Sequence, residues 1–304
     1  MKRLRKIALW LLAISSLATL AATVPTVCLF PAATAQDEGQ DEGKNSDADG
    51  SLSAAICPIV YRLDESPSTR GYHYTFFGNA FFINDQGYLL TAAHVLETFR
   101  NGGQPSILLA RPNSPPQLLP ITVIATDPEH EVAILRVTPN PFVTHYRVTF
   151  LSLARDPAVP GRSVLALSLH PARPRSAQSF QSLVEDRSAG TVLSLERTQL
   201  EKSAPAAEVF LLSHPVTLGQ SGSPVLAADS HAVVGLIEGR WVRGGSVSLA
   251  RAKGESADPP GAAVPIRYAI ALLEVKGIAW NSIPRAASSP ASQATGSGQP
   301  APKP

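Results

Sequence analysis

Only two cysteines, Cys28 and Cys57, occur in the 304 residues. That number cannot build the disulfide framework of a small secreted scaffold. The chain also lacks any HExxH or CxxC pairing, and its seven histidines are scattered. A built metal site is therefore not expected, and no other cofactor is implied. No stripe of Lys and Arg appears, and the formal net charge is only +2. Nothing electrostatic points to nucleic acid. Lysine is sparse while Pro (27) and Gly (21) are frequent, which favours strands and turns over long helices.

What is present begins with a targeting pattern. Lys2, Arg3, Arg5 and Lys6 precede an apolar run from Ile7 to about Leu20. Ala33-Thr34-Ala35 has the form of a small-residue cleavage site, so residues 1–35 are expected to be a signal peptide directing export. The product would be periplasmic or extracellular. The alternative is an uncleaved anchor in the inner membrane, because the weakly apolar stretch reaches Phe30. Cys28 follows Pro-Thr-Val, an unconvincing lipoprotein context. Cleavage would leave Cys57 as the only cysteine, expected to be a small buried hydrophobe. Residues 36–52 are acidic and polar, an expected unfolded linker. Residues 286–304 form a Pro/Ser/Ala-rich tail of the same kind. The folded domain is expected over residues 53–285, with no room for a second module after it.

Within that domain, short apolar runs alternate with turn residues: "AAICPIVYRL", "AFFIN", "GYLLTAAHV", "SILLA", "ITVIAT", "VAILRV", "RVTFLSL", "SVLALSL", "GTVLSLE", "EVFLLS", "SPVLAA" and "AVVGLIEG". Runs of this length rich in Val, Ile, Leu and Phe read as strands. About a dozen of them predict an all-β barrel or sandwich. One helix is expected, "PIRYAIALLEVKG", with Pro265 in its first turn and Gly277 at its end.

Three stretches carry candidate chemistry. Ser221 lies in "LGQSGSPVL", flanked by glycines; a nucleophilic serine needs a tight turn that exposes its hydroxyl and aims N–H groups at an oxyanion. The same residues also suit a plain turn between strands. His94 follows Ala92 and Ala93, whose small side chains leave room around an imidazole. In "DPEHEVAIL", Asp127, His130 and Glu131 are each candidates for a third role, and the residues alone do not choose between them.

Taken together, "GNAFFINDQGYLLTAAHV", "DPEHEVAILRV", "GTVLSLE", "GQSGSPVL", "AVVGLIEG" and "AAVPIRYAIALLE" resemble a chymotrypsin-fold serine protease of the bacterial Deg/HtrA type, over roughly residues 53–283. The resemblance implies two six-stranded antiparallel β-barrels with a short C-terminal helix. It implies a triad in which Ser221 is the nucleophile and His94 the general base. The acid position falls on Glu131, although this family usually has Asp there. Asp127 falls on a turn position, and His130 is expected to be a solvated turn residue. The N–H groups of Gly219 and Ser221 would form the oxyanion hole. Gln220 replaces the acid found beside the serine in digestive relatives, so activation through a buried new N-terminus is not implied.

Pro215, Val216, Leu218 and Ile237 are expected to line an apolar pocket for a small or aliphatic residue before the cut. His214 invites comparison with glutamyl endopeptidases, but their pocket histidine belongs where this chain has Ile237. Glu238 is expected to face solvent or Arg240. The partners implied are protein or peptide substrates, with membrane contact only through an uncleaved leader. The resemblance leaves oligomeric state open. A catalytically silent binding protein on the same scaffold is the competing reading. It is kept open by Glu131 and by "SLHPA", where relatives have a Gly-containing turn.

Overall fold

The computed structural model of the chain describes residues 52–63, 73–101, 104–111, 114–143, 147–172, 182–202, 204–242, 245–248 and 259–282. Apart from Leu52, the expected leader, acidic linker and tail lie outside the described residues. Six strands form a first closed antiparallel barrel: β1 (Ile56–Leu63), β2 (His73–Phe82), β3 (Tyr88–Thr91), β4 (Pro105–Arg111), β5 (Ser114–Asp127) and β6 (Val132–Val137). Their order around the ring is β1-β2-β3-β6-β5-β4, and β1 pairing with β4 closes it.

The apolar runs of this barrel are continuous because each strand serves two cores. Side chains alternate in direction along a strand, so Phe82, Leu89 and Leu135 fill the barrel interior. Their neighbours Phe81, Leu90 and Ile134 point outward, into a core shared with the second half of the chain. That shared core contains Leu167, Leu236 and Leu273. Cys57 sits in the first barrel with no exposure, and burial pushes its thiol pKa well up, so it is an inert core residue.

The second half comprises β7 (Ser163–Pro171), β8 (Leu183–Thr198), β9 (Ala207–Leu212), β10 (Pro224–Ala227), β11 (Val233–Val242), β12 (Ser246–Ser248) and β13 (Gly261–Pro265). Six of them follow the order β10-β7-β8-β9-β13-β11, and β10 pairing with β11 closes a second barrel. Strand β12 adds to β11 as an outer hairpin arm. The helix α1 (Ile266–Val275) follows at once and buries Ile266, Ala269 and Leu273. Pro265 is its N-cap, and Gly277 adopts φ 63° just past its end. The expected all-β fold of two six-stranded barrels with one C-terminal helix is what the chain adopts.

Two local expectations change. "RVTFLSL" (147–153) is no strand: it is the extended connector between the barrels. Its hydrogen bonds go out singly, Leu151 N–H to Phe82 O and Leu153 N–H to Asn281 O. It is apolar because both barrels cover it, not because it belongs to a ladder. Strands β12 and β13 add to the apolar runs read as strands.

Candidate active site

The loop that carries Ser221 is built around two glycines held at positive φ. Gly219 adopts φ 94° and a Cβ there would lie 2.5 Å from the Phe76 ring. Gly222 adopts φ 78° and its Cβ would meet the Asn79 carbonyl at 2.3 Å. Both positions press against the first barrel, so side chains are excluded by contact as well as by conformation. Ser221 stands between them, 6% exposed. Asn79, fully buried on β2, ties the loop down. Its Nδ2 donates to Gly219 O at 2.9 Å and its main-chain N–H to Ser221 O at 2.8 Å. Its Oδ1 accepts Leu169 N–H at 3.1 Å. Gln220 bonds within the loop through Thr217 N–H, 2.8 Å from its Oε1. No hydrogen bond among the described residues uses the N–H of Gly219 or of Ser221.

His94 is the second residue of the 3₁₀ segment Ala93–Asn101 that follows β3. Glu131 holds it at three points. Ala93 N–H donates to Glu131 O at 3.2 Å, His94 N–H to Glu131 Oε2 at 2.9 Å, and His94 Nδ1 lies 3.1 Å from the same oxygen. Glu131 is buried and adopts φ 56°, in the left-handed region at the end of the Pro128–Glu131 turn. Any residue with a Cβ pays about 1–2 kcal/mol to sit there. The triple grip on residues 93 and 94 is what repays that strain.

Asp127 serves a different histidine. His130 Nδ1 lies 2.7 Å from Asp127 Oδ2, and the His130 ring stacks on Tyr268 at 4.1 Å between centroids. The expected solvated turn residue is therefore half-buried and partnered. Asp127 is spent on it.

Glu238 was not anticipated here. It faces neither solvent nor Arg240: it is 7% exposed, and its Oε1 lies 3.0 Å from His94 Nδ1. Its main-chain carbonyl accepts the Ser221 hydroxyl at 3.3 Å. No hydrogen bond of the described residues joins Ser221 to His94, whose Nε2 is buried without a partner. Catalytic hydrogen bonds are often long before substrate binds. Burial by itself would lower the His94 pKa. The charge of Glu238, the bonds to both carboxylates and the charge of Glu131 outweigh burial and raise it to about 10.

His94, Glu131 and Glu238 are also the group among the described residues whose donor atoms, within 4.8 Å of one another, come close enough for a metal ion. The approach of both carboxylates to His94 Nδ1 already accounts for two of those distances.

Two hollows flank Ser221. One is lined by Val216, Leu218, Ile237, Arg240 and Ser248 and has a volume of only about 10 Å³, scarcely room for one water. Val216 and Ile237 are buried walls, whereas Leu218 is 72% exposed at the rim. Pro215 does not line it. Arg240 is part of its wall and donates from Nε to Val216 O at 2.7 Å. The other hollow, of about 200 Å³, lies beside Gly219 between Phe76, Leu169, His170, Asp186 and Leu218.

Two closed barrels with a histidine on one and a glycine-flanked serine on the other define the architecture of a trypsin-like peptidase. Residues 78–236 match the trypsin-like peptidase domain, and the chain belongs to that family. Among solved structures it is similar in fold to the HtrA-type protease AlgW with decapeptide, at 17% identity and TM-score 0.54, covering 75% of this chain and 66% of that one. It is also similar to the Rv3671c protease of M. tuberculosis in its active form, at 16% identity and TM-score 0.53, covering 84% and 97%. A third likeness is Deg5, at 16% identity and TM-score 0.51, covering 80% and 100%. The part matched to AlgW is slightly under two thirds of its length. No curated protein sequence matches the chain.

Proposed function

We propose that the chain is an exported serine endopeptidase using Ser221, His94 and Glu131. The observation that carries this reading is the grip of Glu131 on His94, at both the main-chain N–H and Nδ1. A carboxylate accepting Nδ1–H fixes the tautomer that leaves Nε2 as the base and stabilises the imidazolium formed on proton transfer. Ser221 Oγ then bonds to the substrate carbonyl carbon while Nε2 takes the hydroxyl proton. The N–H groups of Gly219 and Ser221 receive the oxyanion. As the C–N bond breaks, His94 returns the proton to the leaving amine. Water, deprotonated by the same nitrogen, hydrolyses the acyl-enzyme.

The substrates proposed are peptides or proteins, in keeping with the decapeptide in the AlgW structure. The small hollow beside Ser221 supports a small residue before the cut. The basic, apolar N-terminal sequence supports export, with an anchored form as its variant.

Fluorophosphonate labelling of the folded chain tests the reading. Reaction at Ser221, abolished by Ser221→Ala and by His94→Ala, is expected. A folded protein that does not react would be the silent binding relative instead.

A further inference from the structure

Strand β11 carries an irregularity at the site. Ile237 pairs with Ala263 and Gly239 with Ala262, so Glu238 is an extra residue with no partner on β13. A β-bulge of this kind re-aims a side chain that regular alternation would place elsewhere. The same residue touches both reacting groups, since its carbonyl holds the Ser221 hydroxyl and its carboxylate reaches His94. We propose that Glu238 is a second carboxyl partner of His94, a positioning residue that competes with Glu131 for the single Nδ1 proton and sets the charge state in which the imidazole rests. The proposal rests on the serine-peptidase reading only for its catalytic consequence.

The geometry leaves little choice. One N–H shared between two carboxylate oxygens at 3.0 and 3.1 Å bonds each more weakly than it would bond one alone, and two buried like charges so close repel. A proton must therefore reside in the cluster, either as an imidazolium or on a carboxyl group. Burial raises the Glu238 pKa, the His94 charge and hydrogen bond lower it, and the charges of Glu131 and of Glu97 raise it again, to about 7 in all. On His94 the acting charges are Glu238 and Glu131. At neutral pH the balance favours imidazolium, which cannot take a proton from Ser221. Among the described residues Glu238 Oε2 is buried without a partner, so the donor its carboxyl group meets is His94, through Oε1. Neutralising Glu238 frees His94 to serve as a base at lower pH.

The experiment follows the His94 Cε1 resonance of the full chain with pH, in the wild type and in Glu238→Gln. The fluorophosphonate labelling rate is measured over the same range. The titration midpoint should fall by at least one unit in the variant, and the acid limb of labelling should move equally far toward neutral pH. Below the midpoint, that raises the fraction of His94 in the base form about tenfold. An unchanged midpoint overturns the proposal. If the wild type never labels, the peptidase reading fails while the imidazole titration still decides the role of Glu238. If Glu238→Gln does not fold, the Glu238 carboxyl carbon is followed in the wild type. An inflection shared with His94 supports the proposal; a single step in the ordinary carboxylate range overturns it.

Discussion

Asn79 Nδ2 donates to the Gly219 carbonyl at 2.9 Å, binding a strand of the first barrel to the nucleophile loop of the second. Its Oδ1 simultaneously accepts Leu169 N–H of the second barrel, so one buried amide braces two points on the far side of the cleft. Asn79→Ala would leave a carbonyl and an N–H unpaired in the interior. Each such orphan costs about 1–3 kcal/mol. We expect a clear drop in denaturant midpoint and, because misplacement of about 1 Å can cost on the order of a hundredfold, at least tenfold slower labelling of Ser221. Rates kept at the wild-type level in the folded variant would show that the loop holds its shape alone.

Arg240 offers a test of substrate preference. Its side chain lines the hollow beside Ser221 and is tethered to the Val216 carbonyl. Arg240→Gly should open that hollow, and profiling on a peptide library should move the preferred residue before the cut from small to larger apolar side chains. An unaltered profile would place the selectivity outside this hollow.

The two acidic residues of the "DPEHE" turn separate cleanly. Asp127→Asn removes only the partner of His130, which is partly exposed. Labelling of Ser221 should be unchanged and stability altered by less than about 1 kcal/mol. Glu131→Gln removes the fixed acceptor of His94. We expect at least a tenfold loss in labelling, short of the roughly 10⁴ that an acid-to-amide change costs in a triad with one acid, because Glu238 remains. The double variant Glu131→Gln/Glu238→Gln should show the larger loss. The opposite ranking of Asp127 and Glu131 would reassign the acid.

Stability should fall as pH rises. The folded His94 pKa, about 10, lies above its usual 6.5. Its stabilising contribution is complete below pH 6.5 and is lost as pH climbs through 10. Glu238, raised from 4.5 to about 7, acts in the same direction between those two values. His214, lowered by burial, opposes them only at the acidic end. Melting temperature should therefore decline between pH 7 and pH 10, and less steeply in Glu238→Gln. A flat profile in the wild type would contradict the buried ionic cluster.

How legible the molecule was depends on whether its signals are local. His94, Ser221 and the strand "VAILRV" each lie in a contiguous pattern, and the structure places that strand at Val132–Val137. Glu131 is picked out only by the family resemblance, which places the acid just before that strand, and the structure puts its carboxylate 3.1 Å from His94 Nδ1. Glu238 is not picked out, because it follows a run of apolar residues in which nothing marks the bulge, and only the pairing with Ala262 and Ala263 reveals it. "RVTFLSL" misled for a related reason: hydrophobicity reports burial, not which neighbour supplies the hydrogen bonds. Arg240 was missed because nothing in the sequence shows that its side chain turns toward the Val216 carbonyl at the wall of that hollow.

Each barrel closes on its own strands, yet the serine and the histidine belong to different ones. On the proposed reading, neither barrel alone carries both the base and the hydroxyl, so activity would require the connector at residues 147–153 to hold the two halves together.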